Sequence, residues 1–230
     1  MTVAFEKELE SFLKRHPEMS IVPSNYEGTI IEGEFCFSAT YLQDKQINDS
    51  FRLKIEIPKF FPKEIPRVTE IGGKIPRHID FHVFSDDDTL CLGSPLRLRK
   101  CLNEFPTIQG FIEKCLVPYL YSMSLHIKTG EAFIFSELSH GIKGLLDDYK
   151  DMFHVETNEQ AILILELLTL KKRESNKRGC PCGCGRRVGK CKFKERLDLF
   201  RSITTRDVFK EELKRIRNGD AKAKCSIRES

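Results

Sequence analysis

The stretch that decides the fold is Phe51-Arg-Leu-Lys-Ile-Glu-Ile-Pro-Lys-Phe-Phe-Pro-Lys-Glu-Ile-Pro66. Its first seven residues alternate between apolar and charged side chains, which predicts a strand with one buried face. The prolines that follow cannot donate to a strand ladder, so they predict a loop. Leu90-Cys91-Leu92 comes about 25 residues later and precedes an amphipathic helical pattern. This order predicts a scaffold that presents one thiol, and therefore cysteine chemistry.

The composition predicts a folded chain in a reducing compartment. The 230 residues are 40% hydrophobic and include 17 Phe, which is enough for a packed core. The sequence contains no run of 18 apolar residues, so a membrane span is not expected. Its N-terminus shows no basic segment followed by an apolar one, so a secretion signal is not expected either. We therefore expect a cytoplasmic protein with no membrane partner. Nine cysteines in that setting favour metal binding or catalysis over disulfides.

The charge is distributed unevenly along the chain. Residues 171–230 contain 20 Lys and Arg against 8 Asp and Glu, a net charge of +12. Because the whole chain carries +4, residues 1–170 carry −8. This asymmetry predicts two functional units, and the second is expected to bind an acidic partner. Nucleic acid and an acidic protein surface both fit that description.

Hydrophobic spacing predicts an α+β fold class. An apolar helical stripe runs from Phe5 to Leu13 and stops before Pro17. Alternation then predicts antiparallel strands, with a hairpin loop at residues 44–50 between the first two. The predicted strands are Ile31–Tyr41, Phe51–Ile57 and Arg67–Ile71.

The second half of the chain is predicted to be helical. Residues 72–106 contain scattered Gly, Pro and Asp, which predicts a long irregular and functional loop. A buried helical face starts at Ile108 after the cap Thr107, and Pro118 should kink or end that helix. The remaining predicted segments are a helix at Ile142–Phe153, a capping box at Thr157–Gln160 with a helix through Ile162–Leu170, a charged linker at Lys171–Arg178, and a helix near Arg206–Ile216.

Roughly residues 5–125 resemble the ubiquitin-conjugating enzyme family. The resemblance is carried by the order of the elements, the proline loop from Pro58 to Pro66, the Leu-Cys-Leu sequence, and a helix about 16 residues later. It implies an N-terminal helix, a four-stranded antiparallel meander and C-terminal helices, which we assign to a conjugating domain at residues 1–155. It also implies that Cys91 takes a ubiquitin-like modifier from an activating enzyme as a thioester and passes it to a target amine.

The residues around Cys91 fit that chemistry. A thiolate is strongly nucleophilic, and a thioester stays reactive toward amines. The carboxylates of Asp86, Asp87 and Asp88 should raise the pKa of the thiol, which suits an enzyme that receives an activated acyl group. The same carboxylates could instead orient an incoming lysine. The alternative is that Cys91 is a small buried core residue.

The sequence departs from the family before the cysteine. The family carries His-Pro-Asn there, with the Asn stabilising the oxyanion, whereas this chain reads Phe81-His82-Val83-Phe84. His82 is expected to keep the structural role of the family histidine, and backbone N–H groups around Leu92-Gly93-Ser94 are expected to supply the oxyanion donors. Such gaps resemble bacterial relatives in anti-phage defence operons. There the target is a defence protein such as a cyclic-nucleotide synthase.

Other histidines and cysteines are weaker candidates. His140 could act as a base on the thiol, as histidines downstream of the cysteine do in bacterial relatives, or it could be a surface or capping residue. His78 is a further candidate base. Cys36 on a strand and Cys115 on a helix face are expected to be core residues. Cys101 has basic neighbours that lower its pKa, so it is the rival nucleophile.

A cysteine cluster predicts zinc binding. Cys180-Pro-Cys182-Gly-Cys184-Gly-Arg-Arg-Val-Gly-Lys-Cys191 can bring four thiolates to one tetrahedral metal ion. It resembles the SEC-C zinc motif, although Lys192 stands where that motif has its fourth ligand, so either Cys184 or a residue elsewhere completes the site. A redox-active or disordered cluster is the alternative. We assign residues 156–178 to a helix and linker, and residues 179–230 to a basic zinc-binding tail.

Three functions remain open from the sequence. The first is a ubiquitin-conjugating-like transferase of a defence system, with Cys91 as the catalytic nucleophile. The second is a catalytically inactive binding module of the same fold, which the missing Asn favours. The third is a zinc-dependent adaptor that binds nucleic acid or protein through its basic tail, although aromatic residues for base stacking are scarce there.

Overall fold

The computed structural model describes residues 3–41, 45–130, 133 and 141–219. The predicted α+β class is confirmed, because an N-terminal helix, a four-stranded antiparallel sheet and several C-terminal helices are present. The chain divides into two compact units, Met1–Glu137 and Leu138–Ser230, whereas the sequence placed the division after residue 155. Among the described residues, no helix combines the length and the apolar character needed to cross a membrane.

The first unit begins with helix α1 and a meander sheet. Each strand pairs antiparallel with the next, so the strand order is β1-β2-β3-β4. The elements are α1 (Val3–Arg15), β1 (Met19–Val22), β2 (Thr29–Thr40), β3 (Gln46–Ile57) and β4 (Arg67–Glu70). The predicted N-terminal helix and three predicted strands are therefore confirmed, with ends that move by a few residues.

The alternating face of β3 lies in the core, as the opening stretch predicts. Phe51 and Ile55 are almost fully buried, and their partners across the ladder are Phe35 and Ile31 of β2. His16, the residue after helix α1, contributes to the same core, because its ring stacks on that of Phe35 with a centroid distance of 4.7 Å. Burial lowers the pKa of His16, so the imidazole is neutral at neutral pH.

The predicted hairpin loop at residues 44–50 is wrong. Strand β3 already begins at Gln46, and its first residues pair with the end of β2. Ile47 is buried against Tyr121 and Leu125. This burial stabilises an extended chain at residues 46–50, although most of these residues are polar. The hydroxyl of Tyr121 also donates to the carbonyl of Lys45 at 2.9 Å, and this bond fixes the start of the strand.

The predicted irregular segment at residues 72–106 contains helix α2 (Pro95–Glu104) and a 3₁₀ turn at Ile79–Phe81. The side chain of Ser94 accepts a hydrogen bond from the N–H of Arg97 at 3.2 Å, and Pro95 occupies the first helical position. Both are start signals that the sequence contains. The Gly, Pro and Asp residues in the rest of the segment are typical of a loop, so the pattern as a whole predicted irregular structure.

The helix predicted from Ile108 continues past Pro118. It comprises α3 (Ile108–Phe111), a π-helical turn at Ile112–Leu116 and α4 (Val117–Thr129). Pro118 lies in the first turn of α4, where a missing N–H is tolerated. The wider π hydrogen bonds immediately precede the proline, so the chain accommodates it without ending the helix.

Asp49 on β3 forms ion pairs with Lys74 in the loop after β4 and with Lys128 on α4. We therefore expect the stability of the fold to fall at acidic pH. Burial raises the pKa of Asp49, but hydrogen bonds from Lys74 and from the N–H of Ser50 outweigh burial and lower the pKa to about 2. The ordinary value is 3.8, so the stabilisation is complete above pH ~4 and is lost as the pH falls toward 2. We expect Asp49→Asn to cost about 2 kcal/mol of unfolding free energy at pH 6 and almost nothing at pH 2.

Urea denaturation at a series of pH values measures this difference. The matched control is Glu27→Gln, since that carboxylate is 86% exposed and pairs only loosely with Lys59 at 3.9 Å. A difference between wild type and Asp49→Asn that stays constant from pH 6 to pH 2 would contradict the assignment.

The second unit is a helical bundle. Its elements are α5 (Gly141–Phe153), α6 (Asn158–Thr169), α7 (Lys172–Ser175), a 3₁₀ turn at Val188–Lys190, α8 (Phe193–Ile203) and α9 (Arg206–Asn218). Helix α6 packs against α5, α8 and α9 and so forms the centre of this unit. The predicted capping box at Thr157 and Gln160 is present with both of its hydrogen bonds.

The segments predicted as a linker and an appended tail belong to this bundle. Helix α7 forms within residues 171–178, and its Ser175 is fully buried. Phe153 of α5 contacts Phe200 of α8 with ring centroids 4.4 Å apart, and its carbonyl accepts from Arg196 at 2.5 Å. Residues from both sides of the predicted linker therefore share one core.

Candidate functional site

Cys91 follows a short extended segment that extends the edge of the sheet. Thr89 forms an antiparallel bridge with Thr69 of β4, and the N–H of Leu90 donates to the carbonyl of Val68 at 2.8 Å. Leu90 also bridges to Val83, and its side chain is buried. The sheet edge therefore fixes the chain up to the residue before the cysteine.

The thiol lies at the junction between this segment and α2. The N–H of Cys91 donates to the carbonyl of His82 at 2.7 Å, and the residue is partly exposed. Gly93 has a φ of 145°, a conformation that glycine adopts readily, and Ser94 then caps α2. The alternative prediction of a sealed core cysteine does not fit this partial exposure.

The acidic triplet before Cys91 is engaged in ion pairs. Asp87 binds Arg67 at 2.5 Å and also accepts from the hydroxyl of Thr89 at 2.6 Å. Asp88 pairs with Arg77. Because arginines offset at least two of the three charges, these carboxylates hold the loop in shape.

Tyr119 on α4 is a neighbour of this site, and no sequence pattern identifies it as one. Its hydroxyl donates to the carbonyl of Phe81 at 2.9 Å. Burial, followed by the nearby thiol of Cys91 and carboxylate of Glu70, raises the pKa of Tyr119 well above its ordinary value. The phenol is therefore neutral and remains a hydrogen-bond donor that fixes the turn carrying His82.

The candidate histidines have different surroundings. His82 adopts a left-handed backbone conformation with a φ of 53°. Its ring and that of Phe133 form a T-shaped pair with centroids 4.8 Å apart. Its carbonyl holds the Cys91 amide, so its backbone positions the cysteine. His78 caps the 3₁₀ turn by accepting from the N–H of Asp80 at 3.4 Å. His140 lies outside the described residues.

The other cysteines of the first unit are only partly as predicted. Cys115 is buried, as expected, and 6% exposed. Cys36 is exposed, so its prediction as a core residue is wrong; it lies on the face of β2 opposite the buried Phe35. Cys101, the rival nucleophile, has its sulfur 3.2 Å from that of Cys115.

The four cysteines of the C-terminal cluster converge. All four Sγ atoms lie within 4.8 Å of one another. Cys182 and Cys184 each lie 3.7 Å from Cys191, and Cys180 lies 3.2 Å from Cys182. Zn–S bonds of about 2.3 Å in a tetrahedron place the sulfurs roughly 3.8 Å apart. The cluster could therefore hold a metal ion such as zinc, and Cys184 supplies the fourth sulfur.

Tight turns and one helix side chain shape the cluster. The N–H of Cys180 donates to the carbonyl of Arg186 at 2.8 Å, which closes the cysteine loop. Gly183 and Gly185 have positive φ values of 77° and 71°, so both turns favour glycine. The amide of Gln160 on α6 donates to the carbonyl of Pro181 at 2.8 Å and anchors the loop to the bundle.

The thiols of the cluster differ in their acidity. Burial raises the pKa of Cys180. The N–H of Arg186 donates to the sulfur of Cys184, and this bond is the main cause that lowers the pKa of Cys184 to about 6. A thiolate is therefore present at neutral pH, as a metal ligand requires.

Comparison with known proteins identifies no family for this chain. No protein-family profile, no curated protein and no solved structure matches it.

Proposed function

We propose that the first unit is a ubiquitin-conjugating-like acyltransferase that carries a ubiquitin-like modifier on Cys91. The observation that carries the proposal is the position of Cys91: a partly exposed residue immediately after the sheet edge and three residues before the cap of a helix. The order of helix, four-stranded meander with the proline loop between β3 and β4, cysteine and helix supports it, because the family resemblance depends on that order.

The proposed reaction is a thioester exchange followed by aminolysis. The Cys91 thiolate attacks the carbonyl carbon of the activated modifier, so a new S–C bond forms and the donor thiolate leaves. A target amine then attacks the same carbon, a C–N bond forms, and Cys91 leaves as a thiolate while the amine loses a proton to solvent. No oxidant or reductant is needed in either step.

Backbone amides next to the thiol can replace the family's missing Asn. Within the part of the chain that the structure describes, the N–H groups of Leu92 and Gly93 donate no hydrogen bond. They belong to the two residues that follow Cys91 in the sequence, and preorganised N–H donors stabilise the oxyanion that develops on the carbonyl. We assign the oxyanion site to these two amides.

The second unit is proposed to be a zinc-stabilised docking module. Arg186, Arg187, Lys190 and Lys192 surround the cysteine cluster and are exposed. They form a positive surface that favours an acidic partner, such as the target of the transfer. A bacterial defence protein is the target class that the family resemblance suggests.

A chemically activated modifier tests the proposal without its activating enzyme. The protein is mixed with a ubiquitin-like protein that carries a C-terminal 2-mercaptoethanesulfonate thioester, and peptide mass spectrometry locates the adduct. We expect a reductant-sensitive adduct on Cys91 that forms on the order of 10²-fold faster than on the exposed Cys36, because oxyanion donors act only at the former.

Two variants serve as controls for this experiment. Cys91→Ala should abolish the fast adduct, and Cys36→Ala should leave it unchanged. Equal rates on Cys91 and Cys36 would overturn the transferase proposal. If Cys91 proves no more reactive than Cys36 and the modifier still binds non-covalently, the inactive binding module that the missing Asn favours becomes the better description.

A further inference from the structure

Two further cysteines of the first unit form a close pair. Cys101 lies in the last turn of α2, and Cys115 lies in the π-helical turn between α3 and α4. Their sulfurs are 3.2 Å apart, and both are free thiols. A disulfide bond requires about 2.05 Å, so the sulfurs need to approach by only about 1 Å.

The two thiols differ in exposure and in acidity. Cys101 is partly exposed, whereas Cys115 is only 6% exposed. The hydrogen bond between the sulfurs lowers the pKa of Cys101, and the same contact, together with burial, raises the pKa of Cys115. The accessible member of the pair is therefore also the more acidic one, which is the order that a reactive cysteine and a resolving cysteine need.

We propose that Cys101 and Cys115 form a dithiol site that hydrogen peroxide oxidises to an intramolecular disulfide. The Cys101 thiolate attacks the peroxide, so an S–O bond forms, the O–O bond breaks and hydroxide leaves. The Cys115 sulfur then attacks Cys101, so the S–S bond forms, the S–O bond breaks and the oxygen leaves as water with the proton of the Cys115 thiol. The hydroxide takes up the proton that Cys101 released when it became a thiolate. In total the two thiols lose two electrons, and hydrogen peroxide is reduced to two waters.

The bond would join α2 covalently to the helix that follows it. The cap of α2, Ser94, lies three residues after Cys91, so oxidation would fix the C-terminal end of the helix that follows Cys91. Formation of the disulfide does not depend on the transferase activity, and it goes beyond the proposed function.

Tryptic mapping distinguishes this disulfide from any other. Lys100 and Lys114 immediately precede the two cysteines, so trypsin places Cys101 and Cys115 on adjacent but separate peptides, 101–114 and 115–128. The zinc-loaded full-length protein is treated with increasing hydrogen peroxide, free thiols are alkylated, and the digest is compared with and without reductant. We expect the linked pair of peptides to appear at lower peroxide than any oxidised form of the peptide carrying Cys36.

Single variants test the assigned order of reaction. Cys115→Ser should accumulate a sulfenic acid on Cys101 that dimedone traps, whereas Cys101→Ser should leave Cys115 unmodified at the same dose. Cys36→Ser is the matched control and should form the disulfide as the wild type does. Oxidation of Cys101 only to a disulfide with Cys91, or no linked peptides at doses that oxidise Cys36, would overturn the proposal.

Discussion

Replacing Cys184 with serine is expected to weaken zinc binding as strongly as replacing Cys180, Cys182 or Cys191. All four sulfurs lie within 4.8 Å of one another, so each of them is placed to bind the same metal ion. Structural zinc sites bind with about 10–16 kcal/mol, so each of four ligands accounts for roughly 3 kcal/mol, or about a hundredfold in affinity. The comparison decides between Cys184 and a ligand elsewhere in the chain.

Cobalt substitution and chelator competition measure the effect. The intensity of the thiolate-to-cobalt absorption band follows the number of sulfur ligands, so it should fall in Cys184→Ser, while competition with a chromogenic chelator gives the affinity. Cys36→Ser is the control, because that cysteine is exposed on β2 of the other unit. If Cys184→Ser retains wild-type affinity and an unchanged cobalt spectrum, Cys184 is not a ligand.

Features that depend on neighbouring residues in the sequence were predicted well. The alternation in Phe51–Ile57 gave a strand and its buried face, because a period of two residues is a local property of an extended chain. The capping box at Thr157 was predicted for the same reason, since its hydrogen bonds span three residues. The cysteine cluster was predicted because all of its sulfurs lie within 12 residues.

Features that depend on tertiary contacts were not predicted. The start of β3 required the burial of Ile47 against α4, which no local pattern encodes. The contact between Cys101 and Cys115 joins residues that are 14 positions apart and lie on different helical segments. Tyr119 lies near Cys91, although 28 positions separate the two residues in the sequence. The charged composition of residues 171–178 indicated a linker, whereas the packing of α6 against α9 places it inside one unit.

Removing the side chain of Phe209 is expected to destabilise the whole second unit. Phe209 lies on α9, which packs against α6, and its side chain is fully buried. Loss of a buried Phe costs about 3–5 kcal/mol, because the transfer free energy is lost and a cavity remains. Since α6 is the centre of the bundle, we expect Phe209→Ala to speed hydrogen exchange in α6 by about two to three orders of magnitude.

Hydrogen exchange measured by mass spectrometry separates the two units in the full-length chain. Peptides from α6 should lose protection, and peptides from β3 should keep it, because β3 belongs to the other compact unit. Leu199→Ala is the matched control: Leu199 lies on α8 and is 46% exposed, so its truncation should change stability by less than about 0.5 kcal/mol. Unchanged protection of α6 in Phe209→Ala would mean that residues 179–219 are an appendage after all, and that the bundle does not depend on α9.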